Sequence, residues 1–96
     1  MSYRFEWDDD KARSNQMKHG VTFDEASTVF DDSLANIFDD VVHSIDERRE
    51  IIIGHSLNDR LLLVCFTERD KETIRIISVR LPTRKEQKDY EENVGF

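Results

Sequence analysis

The chain has 96 residues, 38% hydrophobic and 36% charged, with a formal net charge of −7. That length suits one small domain over residues 1–96, and the balance is that of a globular chain rather than a disordered one. The longest apolar run, Leu61 to Phe66, is too short to span a bilayer, and the acidic excess argues against non-specific nucleic-acid binding, which needs Lys and Arg against phosphate.

The opening, MSYRFEWDDDK, lacks a basic stretch followed by an apolar one, so no signal peptide is expected and a cytoplasmic location follows. YRFEW (3–7) alternates as a short strand, with Tyr3, Phe5 and Trp7 on one side. Asp8 is a good N-cap for a helix through DDKARSNQMKH, and Gly20 stops it where a left-handed residue is wanted. Thr22 and Glu25 form a capping-box pattern, with Val21 and Ala26 placed as its staple. They open a second helix, with Phe23, Ala26, Val29 and Phe30 on one face, ending near Asp31.

From residue 33 the pattern turns to strands. LANIF (34–38) is one, and DDVVHSIDERR (39–49) is a polar, flexible connection carrying an exposed His43. EIIIGHS (50–56) is another strand, and Asn58-Asp59 makes a tight turn. RLLLVCFT (60–67) is apolar on both faces, as in a central strand covered on both sides. ERDKE (68–72) turns the chain into TIRIISVR (73–80). Pro82 ends that strand, and Thr83 with Glu86 forms a second capping box for a last helix carrying Tyr90. The tail NVGF is expected to fray. Short connections between successive strands imply an antiparallel sheet, hence an α+β domain.

Three scattered histidines and one cysteine give no metal-ligand spacing, and no glycine-rich nucleotide loop occurs, so neither a metal nor a cofactor is expected. Cys65, inside the apolar run, reads as a small buried side chain. His55 alternates with Ile51 and Ile53 and reads as half-buried.

Residues 1–50 carry 6 basic and 13 acidic side chains, whereas the window 60–85 carries seven basic and three acidic ones. The basic window reads either as a solvated sheet face or as a local anion site. In a regular strand Arg75 shares a face with Ile77 and Val79, and Arg80 with Ile74 and Ile76. Each arginine then pairs locally or meets solvent. A bulge or bend would instead bring both to one concave surface with Arg69 and Arg84, where guanidinium forks suit phosphate oxygens. Lys18 and His19 lie in a last helical turn, where cations complement the dipole. The tight turn after them leaves open a second role for Lys18, toward a neighbouring site. Tyr90 either packs as an ordinary amphipathic contact or offers its hydroxyl.

The ordered set Phe5-Glu6-Trp7-Asp8, Lys11, Asn15, Lys18-His19-Gly20-Val21, Phe23, Ala26 and Phe30 resembles the opening of the BrnT family of bacterial toxin components. Later matches are Glu47-Arg48, Ile52-Ile53-Gly54, Phe66-Thr67-Glu68-Arg69, Ile74-Arg75-Ile76-Ile77-Ser78, Arg80, Thr83, Glu86 and Tyr90. The resemblance covers roughly residues 5 to 92. It implies a RelE-like fold, two N-terminal helices and one C-terminal helix packed on a curved antiparallel sheet. It also implies a metal-independent endoribonuclease in which the RNA 2′-hydroxyl attacks the adjacent phosphate. Arg75 and Arg80 would meet the scissile phosphate, helped by Arg69, Lys18 and Arg84 at the RNA, with Glu68 as general base and Tyr90 orienting or donating a proton. The expected partner is a BrnA-like ribbon-helix-helix antitoxin, with DNA bound only through it. An alternative is a catalytically silent module that binds the antitoxin and tunes operon repression.

Overall fold

A computed structural model describes residues 3–93; of the tail NVGF expected to fray, Asn93 ends the last helix and the rest lies outside the described residues. Among these residues the strands are β1 (Arg4–Glu6), β2 (Asn36–Asp39), β3 (Glu50–His55), β4 (Leu61–Glu68) and β5 (Thr73–Arg80). The helices are α1 (Asp9–His19), α2 (Phe23–Thr28) and α3 (Arg84–Asn93). The strands form one open sheet in the order β1-β5-β4-β3-β2. The architecture is α+β, as the sequence implies. The strands β2 to β5 are antiparallel, and the parallel pairing of β1 with β5 makes the sheet mixed. The reason is connectivity: α1 and α2 carry the chain away after β1, and β5 arrives beside it much later.

Local chemistry sets the helix ends. The Asp8 carboxylate accepts from the backbone N–H groups of Asp10 and Lys11 at 2.9 and 3.1 Å. Gly20 closes α1 at φ 68°, with its N–H on the Gln16 carbonyl at 2.8 Å. Thr22 caps α2 by accepting the Glu25 N–H at 3.1 Å, but the box is only half formed, because the Glu25 carboxylate goes to Arg60 and Ser56 instead. The second box is complete: Glu86 N–H donates to Thr83 Oγ1 at 3.2 Å and Thr83 N–H to the Glu86 carboxylate at 2.8 Å. α2 ends at Thr28, and a single 3-10 turn, Val29–Asp31, finishes it.

One face of the sheet carries the core. Ile52, Leu62, Val64, Phe66, Ile74, Ile76 and Val79 meet Val21, Phe23, Ala26 and Val29 from the helical layer. Phe30 sits between Phe5 and Phe66, with ring centroids 5.2 and 5.0 Å apart, and so ties β1 to β4. The connection reaches β3 closely at Gly54, where an added Cβ would lie 2.7 Å from Ala35 Cβ. β4 is buried from Leu62 to Thr67, as expected of a central strand covered on both sides.

Candidate functional site

The opposite face is built by the odd-numbered residues of β3 and β4. Ile51 and Ile53 stand beside Cys65 and Leu63, and Asn36 and Phe38 of β2 extend that row. On β5 the register shifts: Cys65 pairs with Ser78 but Phe66 pairs with Ile76, so Ile77 is an extra residue. This bulge flips the alternation. Arg75 stands opposite Thr67 and Arg80 opposite Leu63, and both therefore project from the same face. Each sequence reading holds in part: the bulge sets both arginines on one face, and each also pairs with a carboxylate, Arg75 with Glu6 and Arg80 with Glu86.

Two elements partly roof this face. At one end lies α3, whose Tyr90 is buried and donates its hydroxyl to the Leu34 carbonyl at 3.3 Å. Burial pushes the Tyr90 pKa up, so the phenol stays protonated and acts as an anchor for the helix. At the other end lies residues 40–49. This segment is not a loose connection. It makes a 3-10 turn, Val41–His43, and Ser44 Oγ pins it by donating to the Asp40 carbonyl at 2.6 Å and accepting the Arg49 N–H at 2.9 Å. Thr67 Oγ1 holds the Arg48 carbonyl at 2.8 Å.

Against residues 40–49 lies a cleft of about 210 Å³, lined among others by Asp40, His43, Arg49, Cys65, Ser78 and Arg80. A second hollow of about 450 Å³ lies between α3 and β2, lined by Asn36, Phe38, Ile53, Leu63, Glu86 and Tyr90. The Arg80 guanidinium bridges the two, making two bonds to the Glu86 carboxylate at 2.8 and 2.9 Å. That pairing holds the Glu86 carboxyl at about 2, well below its ordinary 4.5. Arg75 is paired as well, with Glu6 at 2.8 Å. Among the described residues, no three His, Cys, Asp or Glu side chains converge as a metal-holding group.

A family model described as the ribonuclease toxin BrnT of a type II toxin–antitoxin system matches residues 7–86. The chain belongs to the BrnT family. Its fold is similar to the 1.1 Å crystal structure of the Brucella abortus ribonuclease toxin BrnT, at a TM-score of 0.65 and 22% identity, covering 86% of this chain and all of the other. The curated proteins give no sequence match. Membership of BrnT makes the chain a ribonuclease toxin of a type II system, and such a system includes an antitoxin partner.

The residues that the BrnT resemblance nominated are not all gathered. Arg75 and Arg80 share the face. Glu68 alternates with Leu62, Val64 and Phe66, so it belongs to the helix-side set, at its open end. Together with Arg69 it lines a third hollow, beside Arg48 and Thr67. Lys18 is exposed on the last turn of α1, in the helical layer, and Arg84 is exposed at the start of α3. Tyr90 lines the hollow under α3 rather than the Arg80 cleft. His55 is exposed rather than half-buried, its ring 5.8 Å from that of Tyr90.

Sequence reading missed Asp40, His43 and Arg49. A readable signal was present: Asp40 and His43 are three apart, which brings side chains into register on a 3-10 turn. Cys65 is buried as expected, yet its thiol lies on the cleft side, 3.7 Å from Asp40.

Proposed function

We propose that this toxin cleaves RNA without a metal, by attack of a 2′-hydroxyl on the adjacent phosphate. The observation that carries the reading is the β5 bulge, which sets Arg75 and Arg80 on one partly roofed face. Guanidinium groups there suit the extra negative charge that the phosphorane-like transition state develops. Both arginines must exchange a carboxylate, Glu6 or Glu86, for the phosphate. Arg69, Lys18 and Arg84 would serve RNA outside this centre. Glu68 as general base and Tyr90 as proton donor have less support, since they lie away from the Arg80 cleft.

The partner would be a BrnA-like ribbon-helix-helix antitoxin, with DNA contacted only through it, in the cytoplasm. A surface for it is at hand. Among the described residues β2 is an edge strand; Ile37 and Phe38 on it, and Val41, Val42 and Ile45 just after it, are between 48% and 86% exposed. Apolar exposure of this extent beside an unpaired strand edge is usually covered by a partner.

The pairing of both arginines with carboxylates favours a second reading, a silent module that binds antitoxin and tunes repression. A labelled RNA incubated with antitoxin-free protein in EDTA decides between them, run beside Arg75→Ala/Arg80→Ala with folding checked by circular dichroism. Cleavage by the wild type alone supports the nuclease. Equal cleavage by both places the site elsewhere, and no cleavage by either, with or without ribosomes, supports the silent module.

A further inference from the structure

The bulged arginines supply charge but no proton acceptor, and the 40–49 segment offers one. His43 Nδ1 lies 3.0 and 2.9 Å from the two Asp40 carboxylate oxygens. A carboxylate accepts only, so Nδ1 carries the hydrogen and Nε2 keeps its lone pair in the neutral ring. The Asp40 side chain is 10% exposed and the His43 ring 63% exposed, so the holder is shielded while the ring remains accessible.

Arg49 adds a second, independent observation. Its Nε is shut off from solvent and, among the described residues, has no hydrogen-bond acceptor. A carboxylate oxygen of Glu47 is 3.7 Å away, beyond hydrogen-bond length. The Arg49 side chain as a whole is 31% exposed and lines the cleft, so an anion entering there can meet a charge that Glu47 holds only loosely. Arg75 and Arg80 hold Glu6 and Glu86 at 2.8 Å, whereas Arg49 has the longer 3.7 Å contact with Glu47. Ser44 fixes the spacing of the set, bonding the backbone of both Asp40 and Arg49.

We infer that His43 and Arg49 are the proton-accepting and phosphate-holding residues of the cleft shared with Arg80, with Asp40 positioning the histidine. The inference rests on the ribonuclease reading above. His43 Nε2 takes the 2′-hydroxyl proton, the 2′-oxygen forms a bond to phosphorus, and the bond from phosphorus to the 5′-oxygen breaks. The 5′-oxygen takes a proton from water, leaving a 2′,3′-cyclic phosphate and a 5′-hydroxyl. The imidazolium then returns its proton to solvent.

The groups facing His43 are Asp40 on its own turn, Cys65 and Arg80 on the strands, and Asp46, Glu47 and Arg49 on the return of the segment. The test measures turnover of a mixed-sequence RNA from pH 5 to 9, and the binding of its uncleavable 2′-O-methyl form by fluorescence anisotropy. His43→Gln should lower kcat by about 100-fold or more, with binding within about twofold, and abolish the acidic limb of the pH profile. Free imidazole should restore turnover to His43→Ala, and Asp40→Asn should lower kcat by about tenfold or more while leaving binding of the 2′-O-methyl RNA within about twofold. Arg49→Gln should weaken binding about tenfold, as expected for a lost charge-assisted contact. A wild type that cleaves while His43→Gln cleaves equally, with the acidic limb intact, overturns this inference and leaves the nuclease standing. A wild type that does not cleave overturns both.

Discussion

The side chain of Asn15 holds both backbone polar groups of Val79. Its Nδ2 donates to the Val79 carbonyl at 2.9 Å, and its Oδ1 accepts the Val79 N–H at 3.1 Å. β1 pairs with β5 from Thr73 to Arg75, so beyond that point the outer edge of β5 lacks a strand neighbour among the described residues. The buried amide supplies the pairing a strand would give, and Nδ2 also reaches the Val21 carbonyl at 3.3 Å. It thereby joins α1 to the end of the strand that delivers Arg80.

Asn15→Leu should therefore destabilise the fold by about 2 to 4 kcal/mol, because it leaves a buried N–H and C=O without partners. Asn15→Asp should also be destabilising, since a carboxylate accepts the N–H but repels the carbonyl. Urea unfolding reads both. A loss below about 0.5 kcal/mol would mean that water replaces the amide, and the bridge would then be incidental.

Cys65 should be inert in the folded protein. Burial is the main cause that pushes its thiol up to about 11, and the nearby Asp40 charge adds to it. At pH 8 the thiolate fraction is then on the order of one part in a thousand, and the thiolate is the reactive form. Iodoacetamide at that pH should label native protein far more slowly than urea-unfolded protein. Cys65→Ala should keep its RNA cleavage within about threefold, a change too small for loss of a nucleophile. Rapid native labelling would show that the roof of residues 40–49 opens freely.

Much of the fold was legible because local chemistry and tertiary packing agree. The Asp8 cap, Gly20, the Thr83–Glu86 box and the apolar run Leu61–Phe66 of β4 each stand where periodicity and capping place them. The parallel docking of β1 was not legible, since no residue of Arg4–Glu6 encodes which strand edge it meets. The bulge at Ile77 was open for a similar reason. TIRIISVR alternates well enough to be a regular strand, and only its pairing with β4 shows one residue too many. Glu25 shows tertiary contacts overriding a local motif: a box partner in sequence, it takes Arg60, a residue 35 positions away. For the site, spacing nominated the arginines but not the carboxylates that hold them. His43 and Arg49 were hidden in a segment whose polarity reads as plain loop.

The same two glutamates make stability depend on pH in a defined direction. The Arg60 hydrogen bond holds the Glu25 carboxyl at about 2, helped by Ser56, and Arg80 holds Glu86 at about 2, against an ordinary 4.5 for both. A carboxyl whose folded value is depressed binds fewer protons folded than unfolded, so its contribution is complete above pH 4.5 and is lost as pH falls toward 2. Asp8 and Asp70, lowered by backbone N–H groups, act in the same sense. Arg60 and Arg80 are 40% and 39% exposed, so water screens both pairs and the loss per pair is modest. Urea midpoints should be flat from pH 6 to 5 and decline between about 4.5 and 2.5. Glu25→Gln and Glu86→Gln should each be less stable at pH 6 and decline less steeply. Equal declines in all three proteins would mean that these pairs persist in the unfolded chain or that other carboxyls control the transition. Glu86→Gln carries an added readout, since it removes the carboxylate charge against Arg80 and should strengthen binding of the uncleavable RNA if that arginine meets phosphate.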